Sequence, residues 1–323
     1  FKGFLLGLVV TAMIQSSSAT TVMVVGFVNS GMMRVRQAIG IIMGAIIGTS
    51  ITGWIICLSE LSGTGSGMIS EILSTDTLSS VIAVIGVVLY MFSKEQPKRH
   101  VGGIMLGFAV LMFGMKTMSG SVSGLKQSPG FVGLLTDFEN PVLGIVVGIV
   151  FTGVLQSASA AVGILQALAI TGAVSFATAL PIIMGIAIGA AVPVLLSAMG
   201  ASADGKRTAI SYLAIDTLGV VIVGILFYSV NAAVKLPIMD MTMTAVSIAL
   251  VNTLFRVAIV VLQAPIIPLI ERLVSLFVRE EPGHGQELRD MDRLEERFLA
   301  HPAVALTQTG SVVNAMAQSA VGN

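Results

Sequence analysis

Two short polar stretches interrupt an otherwise apolar chain, and their residue types suit the capture of small ions. The first is Gln15-Ser16-Ser17-Ser18-Ala19-Thr20-Thr21; the second is Gln156-Ser157-Ala158-Ser159-Ala160. Hydroxyls and amides donate and accept hydrogen bonds without carrying charge, so they can replace part of an ion's water shell. They are not arranged for bond-breaking chemistry. The three His residues are scattered and Cys57 stands alone. No nucleophile–base pair and no His or Cys metal-ligand spacing results, so no intramolecular disulfide, redox motif or familiar enzyme constellation is expected.

Further candidates lie at fixed offsets from these stretches. Gly44-Ala45-Ile46-Ile47-Gly48-Thr49-Ser50-Ile51-Thr52 has a counterpart in Gly185-Ile186-Ala187-Ile188-Gly189-Ala190-Ala191-Val192-Pro193. Gly44 and Gly48, four residues apart, allow close helix approach, and Thr49, Ser50 and Thr52 are placed to face a site. Lys116, Asp216 and Arg256 are charges inside apolar segments. Intramembrane charges are costly and usually functional. Lys116 is near a segment end and can snorkel. Asp216 and Arg256 both fall mid-segment on neighbouring antiparallel helices, where they are expected to interact, either as a structural ion pair or in a site.

The elements that must position these residues are membrane helices. Of 323 residues, 55% are hydrophobic and 11% charged, against roughly 25% charged in soluble domains. Apolar runs at 38–59, 75–93, 101–120, 177–200, 209–230 and 246–268 are long enough to cross a hydrocarbon core of about 30 Å. A β-barrel would instead show alternating segments of about ten residues. The formal net charge is zero, which gives no footprint for nucleic acid. The expected class is an all-α polytopic membrane protein.

The chain also repeats itself. Shifted by 141 residues, Gly7–Gly48 aligns without a gap on Gly148–Gly189, with 15 identities in 42 positions. Apolar sequences match cheaply, but a shared Gln-Ser-x-Ser does not, and internal repeats are a common architecture of secondary transporters. The apolar run at 101–120 precedes the second copy and has no counterpart before Phe1, so a further helix is expected upstream.

The apolar flanks of each Gln-Ser stretch are too short to span alone. The stretch either breaks one long spanning helix or forms the tip of a hairpin that re-enters on the side it left. If both hairpins re-enter, Lys2, Arg34, Arg36, Lys94, Lys98, Arg99, Lys206 and Arg207 share one side, with only Lys126 and Lys235 opposite. The excess of Lys and Arg in cytoplasmic loops therefore favours re-entry. Repeat one then makes an odd number of crossings, so the second copy is inverted and the tips approach from opposite faces. Non-helical backbone at that depth must be buried in protein or line a wet cavity. Helix N-termini beyond each tip suit an anion; carbonyl-rich C-termini before each tip suit a hard cation such as Na⁺.

In these motifs the chain resembles the type II sodium–phosphate cotransporter family in its bacterial form. The carriers are Gln15–Thr21 with its second copy from Gln156, the Gly44–Thr52 stretch, and Asn252-Thr253-Leu254-Phe255, similar to a late-helix motif of the family. The tail from Leu294 through Leu306 resembles the start of a PhoU-like helical domain. The resemblance implies inverted repeats with re-entrant hairpins, inorganic phosphate as substrate and Na⁺ as coupling ion, with no other cofactor. Taken with the hydroxyls, amides and intramembrane charges read above, the candidate substrate and sodium sites are Gln15, Ser16, Ser17, Ser18, Thr20, Thr21, Thr49, Ser50, Thr52, Gln156, Ser157 and Ser159, with Asp216, Asn252 and Arg256. Two departures stand out: Ile46 and Ala187 where the family often has Asn, and Ala158, Ala190 and Ala191 in repeat two where repeat one has Ser17, Thr49 and Ser50.

The expected organisation is repeat one over 1–100, repeat two and following helices over 101–278, and the start of a cytoplasmic helical domain over 279–323. The expected location is the cell inner membrane, multi-pass, in contact with lipid; a homodimer is one assembly open to it. Transport of another small anion such as a dicarboxylate, or phosphate sensing, are the competing readings.

Overall fold

The structure is a computed structural model that describes residues 2–57, 75–123, 140–170, 172 and 174–278. The tail at 279–323 and Lys126 lie outside the described residues. The described chain is almost entirely helical: α1 Lys2–Ile14, α2 Ser17–Asn29, α3 Val35–Gly48, α4 Ser50–Cys57, α5 Thr75–Phe92, α6 Gln96–Ser123, α7 Pro141–Leu155, α8 Ala158–Ile170, α9 Phe176–Gly189, α10 Val192–Ser197, α11 Ala203–Val234, α12 Ala245–Gln263 and α13 Ile267–Phe277. No strand occurs among the described residues; Ser175 and Thr242 form an isolated bridge. Four helical stretches are long and apolar enough to cross a membrane: Val35–Cys57, Phe176–Ser197, Ala203–Val234 and Ala245–Phe277.

Two of these stretches are not the uninterrupted helices that their hydropathy predicts. The predicted run at 38–59 breaks at Thr49, and the run at 177–200 breaks at Ala190 and Ala191. Thr49 and Ala190 are 141 residues apart, so the break belongs to the repeat and not to either side chain. The Thr49 hydroxyl donates to the Ala45 carbonyl at 3.0 Å, a back-bond that bends helices; Ala190 bends without one. The predicted run at 246–268 continues beyond Gln263 through a 3₁₀ turn at Ala264–Ile266 into α13.

Glycine packing repeats in both copies. α1 lies along α3, and α7 along α9. A Cβ on Gly7 would sit 2.0 Å from the Ile41 carbonyl oxygen, one on Gly44 1.9 Å from that of Phe4, and one on Gly48 2.8 Å from that of Leu8. In repeat two, Gly148, Gly185 and Gly189 would meet the Ile182, Ile145 and Ile149 carbonyls at 2.4, 2.1 and 2.8 Å. Each partner is the other's equivalent at the same offset. Backbone-to-backbone contact of this kind needs small residues, so packing accounts for the paired glycines. Gly31 and Gly172, also equivalent, both take the left-handed conformation, with φ 75° and 70°, in the turns before α3 and α9.

The core is built from α2, α3, α8, α9, α11 and α12, with Ile42, Met43, Ile46, Ile183, Met184, Ile186, Tyr212, Ile215 and Ile259 fully or almost fully buried. α5 packs mainly on α6, and its Val84, Val88, Met91 and Phe92 are exposed.

Candidate functional site

Each Gln-Ser stretch folds as a sharp break between two short helices. Gln15 and Gln156 adopt left-handed backbone, with φ 62° and 53°. Such a conformation costs a non-glycine residue about 1–2 kcal/mol, and strain of that size concentrates at functional sites. Each backbone N–H closes the preceding helix, donating at 2.7 Å to the carbonyls of Thr11 and Thr152. The next residue caps the following helix: Ser16 Oγ accepts from Ala19 N–H at 3.1 Å, and Ser157 Oγ accepts from Ala160 N–H at 3.3 Å. A serine N-cap after a polar C-cap is therefore the local reason the chain turns here.

The two breaks come together. Gln15, Ser16, Ser17, Ser18, Thr49, Gln156, Ser157, Ala158 and Ser159 line one small polar cleft. Ser18 Oγ donates across the repeats to the Ala190 carbonyl at 3.3 Å, and Ser157 and Ser159 hydroxyls lie 3.4 Å apart. First-turn N–H groups of α2 and α8 point out of their helix ends toward this region, as in any helix.

The other sequence candidates stand behind the cleft. Thr20 accepts from Thr11 Oγ1 at 3.0 Å and donates to the Ser16 carbonyl at 3.0 Å. Thr52 Oγ1 donates to Gln15 Oε1 at 2.7 Å, while Gln15 Nε2 holds the Ala12 carbonyl. Thr21 and Ser50 are buried with hydroxyls that have no partner. Arg256 is fully buried; its Nε donates to Asn252 Oδ1 at 3.1 Å and its Nη1 to the Ile46 carbonyl at 3.4 Å. Asp216 is fully buried on α11, which packs against α12. Both Asp216 oxygens and Nη2 of Arg256 lack a hydrogen-bond partner.

One residue escaped the sequence reading. Tyr212, fully buried, places its hydroxyl 3.2 Å from Ser17 Oγ. It is one helical turn before Asp216, so both share a face of α11. That spacing was the available signal; the contact with Ser17, 195 residues away, was not readable.

Comparison with known proteins agrees with these motifs. The Na⁺/Pi-cotransporter family model matches residues 1–120 and 127–257. The chain belongs to the Na⁺/Pi-cotransporter family. It is 26% identical over 280 residues to YqeW of Bacillus subtilis, covering 86% of this chain and 84% of that protein. It is 24% identical over 313 residues to the Escherichia coli putative inorganic phosphate export protein YjbB, covering 94% of this chain and 52% of that one. The chain thus spans about half the length of YjbB. A 59-residue stretch is 51% identical to human sodium-dependent phosphate transport protein 2B, covering 18% of this chain and 9% of that one. No solved structure matches the chain.

Proposed function

We propose that this member of the Na⁺/Pi-cotransporter family is a secondary transporter that binds inorganic phosphate and Na⁺ in the cleft between its two Gln-Ser breaks. The observation that carries the reading is that two equivalent breaks, one from each repeat, supply nearly all of one polar cleft. In it the anion meets the outward N–H groups at the starts of α2 and α8 and the hydroxyls of Ser16, Ser17, Ser18, Ser157 and Ser159, with the Gln156 amide at its edge. Na⁺ takes carbonyls from the last turns of α1 and α7 together with neighbouring hydroxyls.

The topology that fits is a pair of re-entrant hairpins. α1, α2 and α8 each have 13 residues, and α7 has 15, about 20 Å of helix apiece, short of a bilayer core of about 30 Å. Inverted repeats over 1–100 and 101–278 would bring the hairpins in from opposite faces of the cell inner membrane, with the polar tail on the Lys- and Arg-rich cytoplasmic side. A dicarboxylate would favour a bidentate Arg. Arg256 does not line the cleft, and its Nε and Nη1 are engaged by Asn252 and Ile46, which favours phosphate.

Radiolabelled phosphate flux in proteoliposomes, with and without a Na⁺ gradient, tests the reading and its direction. Flux that ignores Na⁺ removes the coupling; no phosphate flux in either direction removes the substrate.

A further inference from the structure

Behind the cleft lies a buried charged compartment that phosphate and Na⁺ at the tips do not use. It is reached through the contact of Ser17 with Tyr212, and Asp216 follows one turn further along α11. Asp216 is fully buried, and both its oxygens lack a donor. Arg256 enters from α12, fully buried, with Nη2 left without an acceptor. The two charges act on one another through space but no ion pair closes between them. A buried carboxylate with neither a donor nor a contacting cation is costly as an anion, and a proton removes that cost without requiring room.

We propose that Asp216 is a second coupling site, one that takes a proton, and that the Asp216–Arg256 couple links this proton to the anion in the cleft. This rests on the phosphate reading and adds a coupling ion to it. The link is electrostatic. With Asp216 ionised, its charge offsets that of Arg256, and the cleft sees little net field. With Asp216 protonated, the Arg256 charge is uncompensated in a medium that screens it poorly, and an anion at the tips is attracted. Proton and anion therefore bind cooperatively, and by linkage each raises affinity for the other.

Among the described residues few titratable groups surround Asp216. Of the helices packed on α11, α2, α9 and α10 carry no titratable side chain, and α3 carries Arg36 at its exposed far end. α12 presents Arg256; α13 carries Glu271 and Arg272, and Arg256 is the charged group that acts on Asp216 among the described residues. Tyr212, on the same helix, is the other titratable neighbour. Repeat two supplies a reason for a second cation. It has Ala158, Ala190, Ala191 and Pro193 where repeat one has Ser17, Thr49, Ser50 and Thr52, so one half of the cleft offers fewer oxygens to Na⁺.

The test uses the full chain in proteoliposomes with equal, fixed Na⁺ on both sides. Phosphate changes its own charge with pH, so each protein is compared with itself at symmetric pH. An inward proton gradient is expected to raise phosphate uptake in the native protein at least about five-fold more than in Asp216→Asn. Equal responses overturn the inference while leaving the phosphate reading intact; absence of Na⁺-dependent uptake at symmetric pH overturns that reading instead. Infrared spectroscopy gives a readout without transport: a protonated-carboxyl band that titrates with pH, grows on adding inorganic phosphate and is missing in Asp216→Asn. A native spectrum with no such band overturns the inference. If Asp216→Asn fails to elute as folded protein, Asp216→Glu replaces it. A band displaced from its native frequency then supports the inference, and a band left in place overturns it.

Discussion

The two Gln-Ser breaks share a backbone and differ in how their side chains are held. In repeat one, the Gln15 amide is fixed by Thr52 and the Ala12 carbonyl, and Thr11 bonds Thr20. In repeat two, Pro193 stands where Thr52 would be and Ala161 where Thr20 would be. The Gln156 amide is left exposed with no side-chain hydrogen bond among the described residues, and the Thr152 hydroxyl is buried without a partner. The glycines that bring α1 to α3 and α7 to α9 are identical in the two halves. Close backbone packing is thus common to both copies, whereas the polar network that locks a tip is built in one. The first tip is held by side-chain hydrogen bonds; the second leaves its amide unheld.

The largest effect should be the same in both halves. Gly44→Val and Gly185→Val each drive a side chain into a facing carbonyl where even a Cβ has no room. Overpacking of that severity costs about 3 kcal/mol, and neither variant should elute as monodisperse protein. A well-folded Gly185→Val with an unfolded Gly44→Val would show that the packing is not shared.

The next effect should separate the halves. Gln15→Ala removes two internal bonds, each worth about 1 kcal/mol, so it lowers thermal stability as well as transport. Gln156→Ala removes none, so its melting temperature should stay near the native value while phosphate affinity falls about ten-fold, the equivalent of one charge-assisted hydrogen bond. Equal losses of stability in the two variants, measured by thermal shift in detergent, would mean the second tip is locked as well.

These differences explain what the sequence could and could not disclose. The duplicated Gln-Ser stretch and the paired glycines are visible because polar and small residues stand out against apolar surroundings, and the helices follow from hydropathy. The helix breaks at Thr49 and Ala190 were hidden by hydropathy, which stays high across Val35–Cys57 and Phe176–Ser197, although Thr49-Ser50 in the first copy and Pro193 in the second stand at those places. Left-handed backbone at Gln15 and Gln156 was hidden too, since glycine is its usual marker. Thr20 and Thr52 read as candidate ligand oxygens, and the structure adds that both are hydrogen-bonded to neighbouring side chains. A hydroxyl's partner is set by packing, which spacing does not record. Asp216 and Arg256 were recognisable as a buried couple; that no ion pair joins them depends on side-chain geometry alone.

The smallest predicted effect isolates a single hydroxyl. Thr11 and Thr152 are equivalent and both fully buried, but only Thr11 has a partner across its tip, in Thr20. Thr11→Val keeps the shape, removes the donor and deprives Thr20 of that bond, so it should cost about 1 kcal/mol. Thr152→Val removes a buried group that has no partner to lose, so it should be neutral or stabilising by up to about 1 kcal/mol. Ala161→Thr installs the missing partner at the position equivalent to Thr20 and should recover part of that energy, provided Thr152 is present to use it. In the Thr152→Val background the new hydroxyl can only back-bond to the Ser157 carbonyl, as Thr20 does to that of Ser16, while its added atoms crowd a fully buried position, so the change should destabilise. The sign difference between the two backgrounds is the measurement, read as a double-mutant cycle in thermal stability. A cycle that sums to zero would mean that the second break differs from the first in more than its side chains.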